Sequence, residues 1–163
     1  MTDETMDAAE FRRVMGHFPS GIAVVTSSLS DGDPCGLTVN AFTSVSLVPP
    51  LILICVDRYA ESRGCILRAG SFVVNVLEET DGERLARRFA GPHSEDKFRG
   101  VAYRSSASGV PILDRTLAWL ECDVERTVEA GDHTIIIGKV VEADAREGHP
   151  LVYYRGGYGR FDR

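Results

Sequence analysis

Between positions 36 and 56 the chain reads GLTVNAFTSVSLVPPLILICV, and the polar side chains in it are four hydroxyls and one amide: Thr38, Asn40, Thr43, Ser44 and Ser46. Such groups donate and accept hydrogen bonds without titrating near neutral pH, which suits holding a flat, phosphorylated ligand. No nucleophile motif accompanies them. The G-x-S-like stretch Pro19-Ser20-Gly21 lacks the strand–elbow–helix setting that such a serine needs. His17, His93, His133 and His149 show no metal-ligand spacing, and no Walker loop or dinucleotide fingerprint follows a strand. Cations that could meet an anionic ligand locally are Arg58, Arg63, the Arg84/Arg87/Arg88 group, Lys97 and Arg99. The chemistry implied is the binding of a cofactor that carries its own reactivity.

The elements that must position these groups are mostly strands. Residues 6–17 place Met6, Ala9, Val14 and Met15 in an amphipathic helix with Phe11 and Phe18 nearby, after a frayed 1–5. Residues 22–26 form a buried strand, and Asp31-Gly32 turns it into an antiparallel partner beginning near Cys35. Residues 42–47 alternate as a half-buried strand with a hydroxyl-bearing side. Pro49-Pro50 marks a turn or sheet edge, and 51–56 reads as a central strand. Residues 57–70 form a loop and short helix with Ala60, Cys65, Ile66 and Ala69 inward, stopped by Gly70. A strand over 72–77 contains one amide, Asn75. Thr80 and Glu83 have capping-box spacing for a helix that packs Leu85, Ala86, Phe89 and Ala90 and ends at Gly91-Pro92. A polar connector follows over 93–100, then two long strands over 117–128 and 134–141 joined by a turn at 129–132. Tyrosines and glycines crowd 150–161.

At 163 residues the chain fits a single domain, 1–163, able to bury roughly two-thirds of its unfolded surface. About seven strands with short links and no βαβ alternation favour a mainly β (α+β) fold, an antiparallel barrel or sandwich with peripheral helices. The net charge, 18 − 24 = −6, argues against nucleic acid or an anionic membrane as the main partner. The longest apolar run falls far short of the ~20 residues a membrane span needs. The acidic start MTDETMDAAE lacks the apolar segment of a signal peptide, so the expected location is cytoplasmic. Cys35, Cys55, Cys65 and Cys122 form no CxxC, which favours scattered reduced thiols over a disulfide framework or a zinc site. No metal is expected.

Several blocks, in order, resemble the short-chain flavin reductase family. They are PSGIAVVT (19–26), GLTVNAFTSVSLVPPLILICVD (36–57), FVVNVL (72–77), FAGP and DKF within 89–98, GVPILD (109–114), LECDVERTVEAGDHTIIIGKV (120–140) and PLVYYRGGY (150–158). Together they span nearly the whole chain, which makes the likeness more specific than any single motif. The resemblance implies a homodimeric antiparallel split β-barrel with FMN or FAD in a groove at the dimer interface. It implies reduction of that flavin by NADH or NADPH and delivery of reduced flavin to a partner monooxygenase. By position it sets Thr38, Val39, Asn40, Ala41 and Ser46 against the isoalloxazine and ribityl chain, with Cys55, Val56 and Asp57 beside them. Ser62 is placed at a helix start near the phosphate, and Phe89, Ala90, Gly91 and Lys97 close that end. His133, the one catalytic assignment, faces the nicotinamide, with Arg155 and Tyr158 bordering it.

Elementary chemistry agrees with part of this. A helix N-terminus attracts phosphate, and Ser62 and Lys97 offer a hydroxyl and a cation. Hydride transfer from nicotinamide C4 to flavin N5 needs stacked rings, not a protein nucleophile. Plainer readings stand beside these roles. Asn40 suits a turn, Ser44 a solvent-facing strand position and Ser62 an N-cap. Lys97 and Arg84, Arg87 and Arg88 suit a solvated surface, and His133 a hairpin. Cys55 suits a buried position that touches flavin through its backbone. A non-catalytic flavin- or haem-binding split-barrel carrier or sensor is the alternative function, since a fold alone does not fix an activity. A pyridoxine-phosphate oxidase relative fits less well, because the GDH and TVNAF blocks do not belong to it.

Overall fold

A computed structural model describes residues 6–91 and 96–163. The expected frayed end at 1–5, and Pro92 and His93 at the start of the connector, lie outside the described residues. Helix α1 (Ala8–Met15) leads through β1 (Ser20–Gly21) into the hairpin of β2 (Ala23–Ser28) and β3 (Pro34–Val39). A second hairpin, β4 (Phe42–Leu47) and β5 (Pro50–Asp57), is followed by α2 (Glu61–Ala69), β6 (Ser71–Val76) and α3 (Gly82–Ala90). Then come the short pair β7 (Tyr103–Ser105) and β8 (Pro111–Leu113), and the long pair β9 (Ala118–Ala130) and β10 (His133–Ala145). The short strands β11 (Leu151–Tyr154) and β12 (Gly157–Arg160) complete the order. None of the described helices is long and apolar enough to cross a membrane.

Seven strands form one sheet in the order β3-β2-β6-β9-β10-β5-β4, every neighbouring pair antiparallel. Its two edge strands, β3 and β4, are consecutive in the chain, with Asn40 and Ala41 between them. Laid flat, seven strands at ~4.8 Å spacing would hold those edges about 29 Å apart. So short a link reaches roughly 10 Å. The sheet therefore rolls until its edges meet at this corner, where the Cys55 amide donates to the Ala41 carbonyl at 3.0 Å. Among the described residues β3 and β4 do not pair with each other, so the roll is not a closed ladder.

Successive residues of β2 serve opposite faces, as strand geometry requires. Val25 joins Ile54, Val56, Phe72, Ile136 and, from α2, Ile66 in one core. Val24 joins Ile22, Leu77 and Leu151 under the Leu85, Ala86 and Phe89 face of α3. Gly138 on β10 admits the Phe72 ring, since a Cβ there would stand 2.6 Å from its Cζ. Buried Asn75 donates to the Val24 carbonyl (3.0 Å) and Thr26 Oγ1 (3.1 Å) and accepts the Leu113 amide (2.8 Å), joining β2, β6 and β8.

The hairpins over 22–39 and 42–57 form where expected, and β9 and β10 run longer than expected, with Gly131 (φ 62°) in the turn. Five expectations need correction. Helix α1 buries none of its residues, and Phe11, Val14 and Met15 on its apolar side are exposed. Strand β4 is an edge strand rather than half-buried, with Val45 and Leu47 exposed. Helix α3 takes Asp81, not Thr80, as N-cap, which shifts Thr80 and Glu83 out of capping positions; Asp81 pairs instead with Arg84 at 2.8 Å. Ala90 is exposed at its end. Finally, Cys35 and Cys65 are joined in a disulfide between β3 and α2, two elements that the fold, not the spacing, brings to a Cα–Cα distance of 6.6 Å. Cys55 and Cys122 are free thiols, as expected.

Candidate functional site

One end of the site gathers on a backbone oxygen. The carbonyl of Gly36 on β3 accepts Ser62 Oγ at 3.0 Å from the first turn of α2, and Lys97 Nζ at 3.5 Å. Lys97 also donates to the Phe89 carbonyl at 3.0 Å, which leaves its ammonium one further N–H. Burial lowers the Lys97 pKa, with the Glu61 charge opposing. The Phe89 ring is buried and meets Phe98 edge-on at 5.0 Å. A Cβ on Gly36 would come within 2.9 Å of that ring, so β3 approaches α3 this closely only as glycine. A buried hydroxyl, a cation and a helix N-terminus thus converge in the manner of an anion site. Arg88 is not solvated as expected: it donates to the carbonyls of Lys97 (2.6 Å), Asp96 (3.2 Å) and Arg99, clamping the segment that carries Lys97. Arg84 and Arg87 do lie on the exposed face, paired with Asp81 and Glu83.

The middle of the site is the corner where the sheet edges meet. Thr38 is half-buried and its hydroxyl donates to the Ala86 carbonyl at 2.7 Å, tying β3 to α3. Val39 and Val56 point into the core. Asn40 and Ala41 are exposed, and Ser46 is half-buried beside a β-bulge between Ser44 and Ser46. Cys55 is half-buried, and burial pushes its thiol pKa up. The exposed Asp57 carboxylate accepts the Tyr59 amide at 2.7 Å.

Beside the α2 start, the β5–β10 register sets His133 opposite Asp57 and Thr134 opposite Val56. His133 Nδ1 meets Asp132 Oδ1 at 2.7 Å, and that hydrogen bond holds the Asp132 carboxyl below the usual carboxylate range. Arg155 occupies the β11–β12 turn with φ 49°, its amide donating to the Gly16 carbonyl at 3.1 Å. Asn40 and Arg155 line one cavity of about 550 Å³ with Phe11, Arg12, Phe18 and Tyr153. Tyr158 is held against α3, under the Arg87 guanidinium at 5.1 Å and beside Tyr153 at 5.6 Å, and among the described residues no contact joins it or Arg155 to His133.

The structure therefore joins Ser62, Lys97 and Phe89 through Gly36, Ala41 to Cys55, His133 to Asp57, and Asn40 to Arg155. Ala90 is exposed and Gly91 half-buried at the end of α3. Sequence reasoning missed the Gly36 hub and the Arg88 clamp; the one signal for the first was a lone glycine ahead of the hydroxyl run. Among the described residues, no three His, Cys, Asp or Glu side chains are grouped to hold a metal ion.

The family described as "Flavin reductase like domain" matches residues 15–162. The chain is 45% identical over 157 residues to a flavin reductase of Pseudomonas putida, covering 96% of this chain and 91% of that protein. It is 43% identical to the reductase component of a 4-nitrophenol 4-monooxygenase/4-nitrocatechol 2-monooxygenase of Rhodococcus opacus, covering 97% and 83%. A solved NADH:FAD oxidoreductase of Streptomyces globisporus, in complex with NAD and FAD fragments, superposes with a TM-score of 0.89 at 41% identity, covering 96% and 93%.

Proposed function

This chain belongs to the flavin reductase-like domain family, and from that premise we propose that it is an NAD(P)H:flavin oxidoreductase that reduces FMN or FAD and supplies the reduced flavin to a partner monooxygenase. The observation that carries the reading is the β5–β10 register. It sets the His133 imidazole at the end of β5, and from that end the chain passes directly into α2 and Ser62. A nicotinamide-side imidazole and an anion-binding helix start then lie at one end of one strand.

The donor set fits a phosphorylated flavin. Bound flavin supplies the hydride-accepting N5; the chain's residues bind and orient. The amides of the α2 N-terminus and Lys97 take the phosphate, with Ser62 fixing α2 against Gly36 and Phe89, Ala90 and Gly91 forming the wall behind it. Asn40, Ala41 and Ser46 edge the ring and ribityl chain. Val39, Cys55 and Val56 contribute backbone, as does Thr38, whose hydroxyl is already engaged. Asp57 and His133 border the nicotinamide. With Nδ1 held by Asp132, Nε2 is the nitrogen left for that ring. Arg155 and Tyr158 flank the same side. The rolled sheet is read as a split β-barrel in one domain over 1–163, paired with a second copy that covers α1, Leu47 and Val48. A cytoplasmic location completes the reading, because reduced nicotinamides are made and used there.

The test is a steady-state assay crossing FMN and FAD with NADH and NADPH, following absorbance at the nicotinamide band. Flavin-dependent oxidation is expected, with His133→Ala lowering kcat/KM for the nicotinamide. Absence of flavin-dependent oxidation in all four combinations sinks the reading. Flavin retained through gel filtration without turnover favours the carrier alternative instead.

A further inference from the structure

The His133 hairpin is tied down by a cluster that lies outside the residues assigned above. Glu129 on β9 stands opposite Thr134 on β10. Its Oε1 accepts both the Thr134 hydroxyl at 2.9 Å and Arg63 Nη2 at 2.9 Å, and its Oε2 faces Arg58 Nε at 3.3 Å. Arg63, from the first turn of α2, also donates Nε to Thr134 Oγ1 at 2.7 Å. Arg58, just past β5, gives its amide to the Asp132 carbonyl at 3.0 Å and Nη1 to the Gly131 carbonyl at 3.3 Å. One carboxylate thus collects groups from the hairpin base, the end of β5 and the start of α2. His133 sits between Asp132 and Thr134, both held by this cluster.

We propose that Glu129 is a positioning residue for hydride transfer: acting through Arg58, Arg63 and Thr134, it fixes the His133 hairpin relative to the flavin-bearing end of β5 and α2. This rests on the flavin reductase reading. Exposed ion pairs add little to stability singly, and Glu129 is half-exposed, so its role is register more than strength. Hydrogen bonds from Thr134 and Arg63 hold its carboxyl below the usual range, consistent with a lasting negative charge at the centre. Transfer between stacked rings is steeply sensitive to placement: a shift of ~1 Å costs on the order of a hundredfold.

The test is a double-mutant cycle of Glu129→Ala with His133→Ala, read by steady-state kinetics, with amide hydrogen exchange on the flavin-free protein as the second readout. Glu129→Ala is expected to lower kcat by about tenfold or more while leaving KM for flavin within about twofold. In the His133→Ala background it adds less than about twofold, because the group it positions is gone. In the flavin-free protein, exchange at Asp132–Thr134 accelerates while that of β6 holds. Glu129→Gln, which keeps the shape and loses the charge, carries the same cycle if the alanine variant does not fold. Equal losses in both backgrounds, or unchanged exchange over 132–134, overturn the proposal. Wild-type protein that fails to oxidise NADH or NADPH with either flavin overturns the activity itself, and the exchange readout still judges the anchoring.

Discussion

Lys97 is the residue whose environment speaks most directly of a ligand. Its nitrogen lies between two carbonyls and is partly buried, which lowers its pKa against the opposing Glu61 charge, and an incoming phosphate would add negative charge at its remaining N–H. A charge-assisted hydrogen bond is worth about 1.5–3 kcal/mol. Lys97→Met is therefore expected to raise KM for FMN or FAD by roughly tenfold or more, while riboflavin, which has no phosphate, changes little. Equal effects on phosphorylated and unphosphorylated flavin would remove Lys97 from the phosphate end. Lys97 and His133 could be nominated from the sequence because the DKF and GDH blocks hold them, and Ser62 because it stands at an expected helix start. The Gly36 hub, the Thr38 bond to Ala86 and the Arg88 clamp were not, since in each the partner is a backbone carbonyl, and carbonyls leave no mark on a sequence.

At the scale of elements, the longer strands were read well, and the short strands β1, β7, β8, β11 and β12 and the helix surroundings poorly. Period-two alternation and the Asp31-Gly32 and Gly131-Asp132 turns name their hairpins locally, so β2 to β5 and β9 to β10 could be placed from local pattern. Whether a helix face meets anything is decided elsewhere. Helix α1 has an apolar stripe and buries none of it; Phe11 and Phe18 are exposed, as are Leu47 and Val48 at 90% and 92%. Exposed apolar surface of this kind marks an interaction site, and the second copy proposed above would cover it. Sedimentation is expected to give twice the 17.8 kDa chain mass, and Phe11→Lys with Val14→Lys to return the monomer mass. A wild-type monomer at micromolar concentration would remove the second copy from the account.

For the whole molecule, rolling the sheet does what no local signal foretold: it brings β3 beside α2 and closes the Cys35–Cys65 crosslink. Four cysteines without regular spacing read as thiols, because pairing depends on topology and not on neighbours in sequence. A crosslink over a separation of 30 residues restricts the unfolded chain by about 3–4 kcal/mol in the loop-entropy account. Thermal unfolding with and without a dithiol is expected to differ by about 10 °C, and Cys35→Ser to match the reduced curve in either solution. Coincident melts of wild-type protein in the two solutions would refute the crosslink. Disulfides in cytosolic proteins are mostly transient or redox-sensing. In a reductase that handles electrons two at a time, the polypeptide then has two melting points, and the redox potential of the solution, not the sequence, chooses between them.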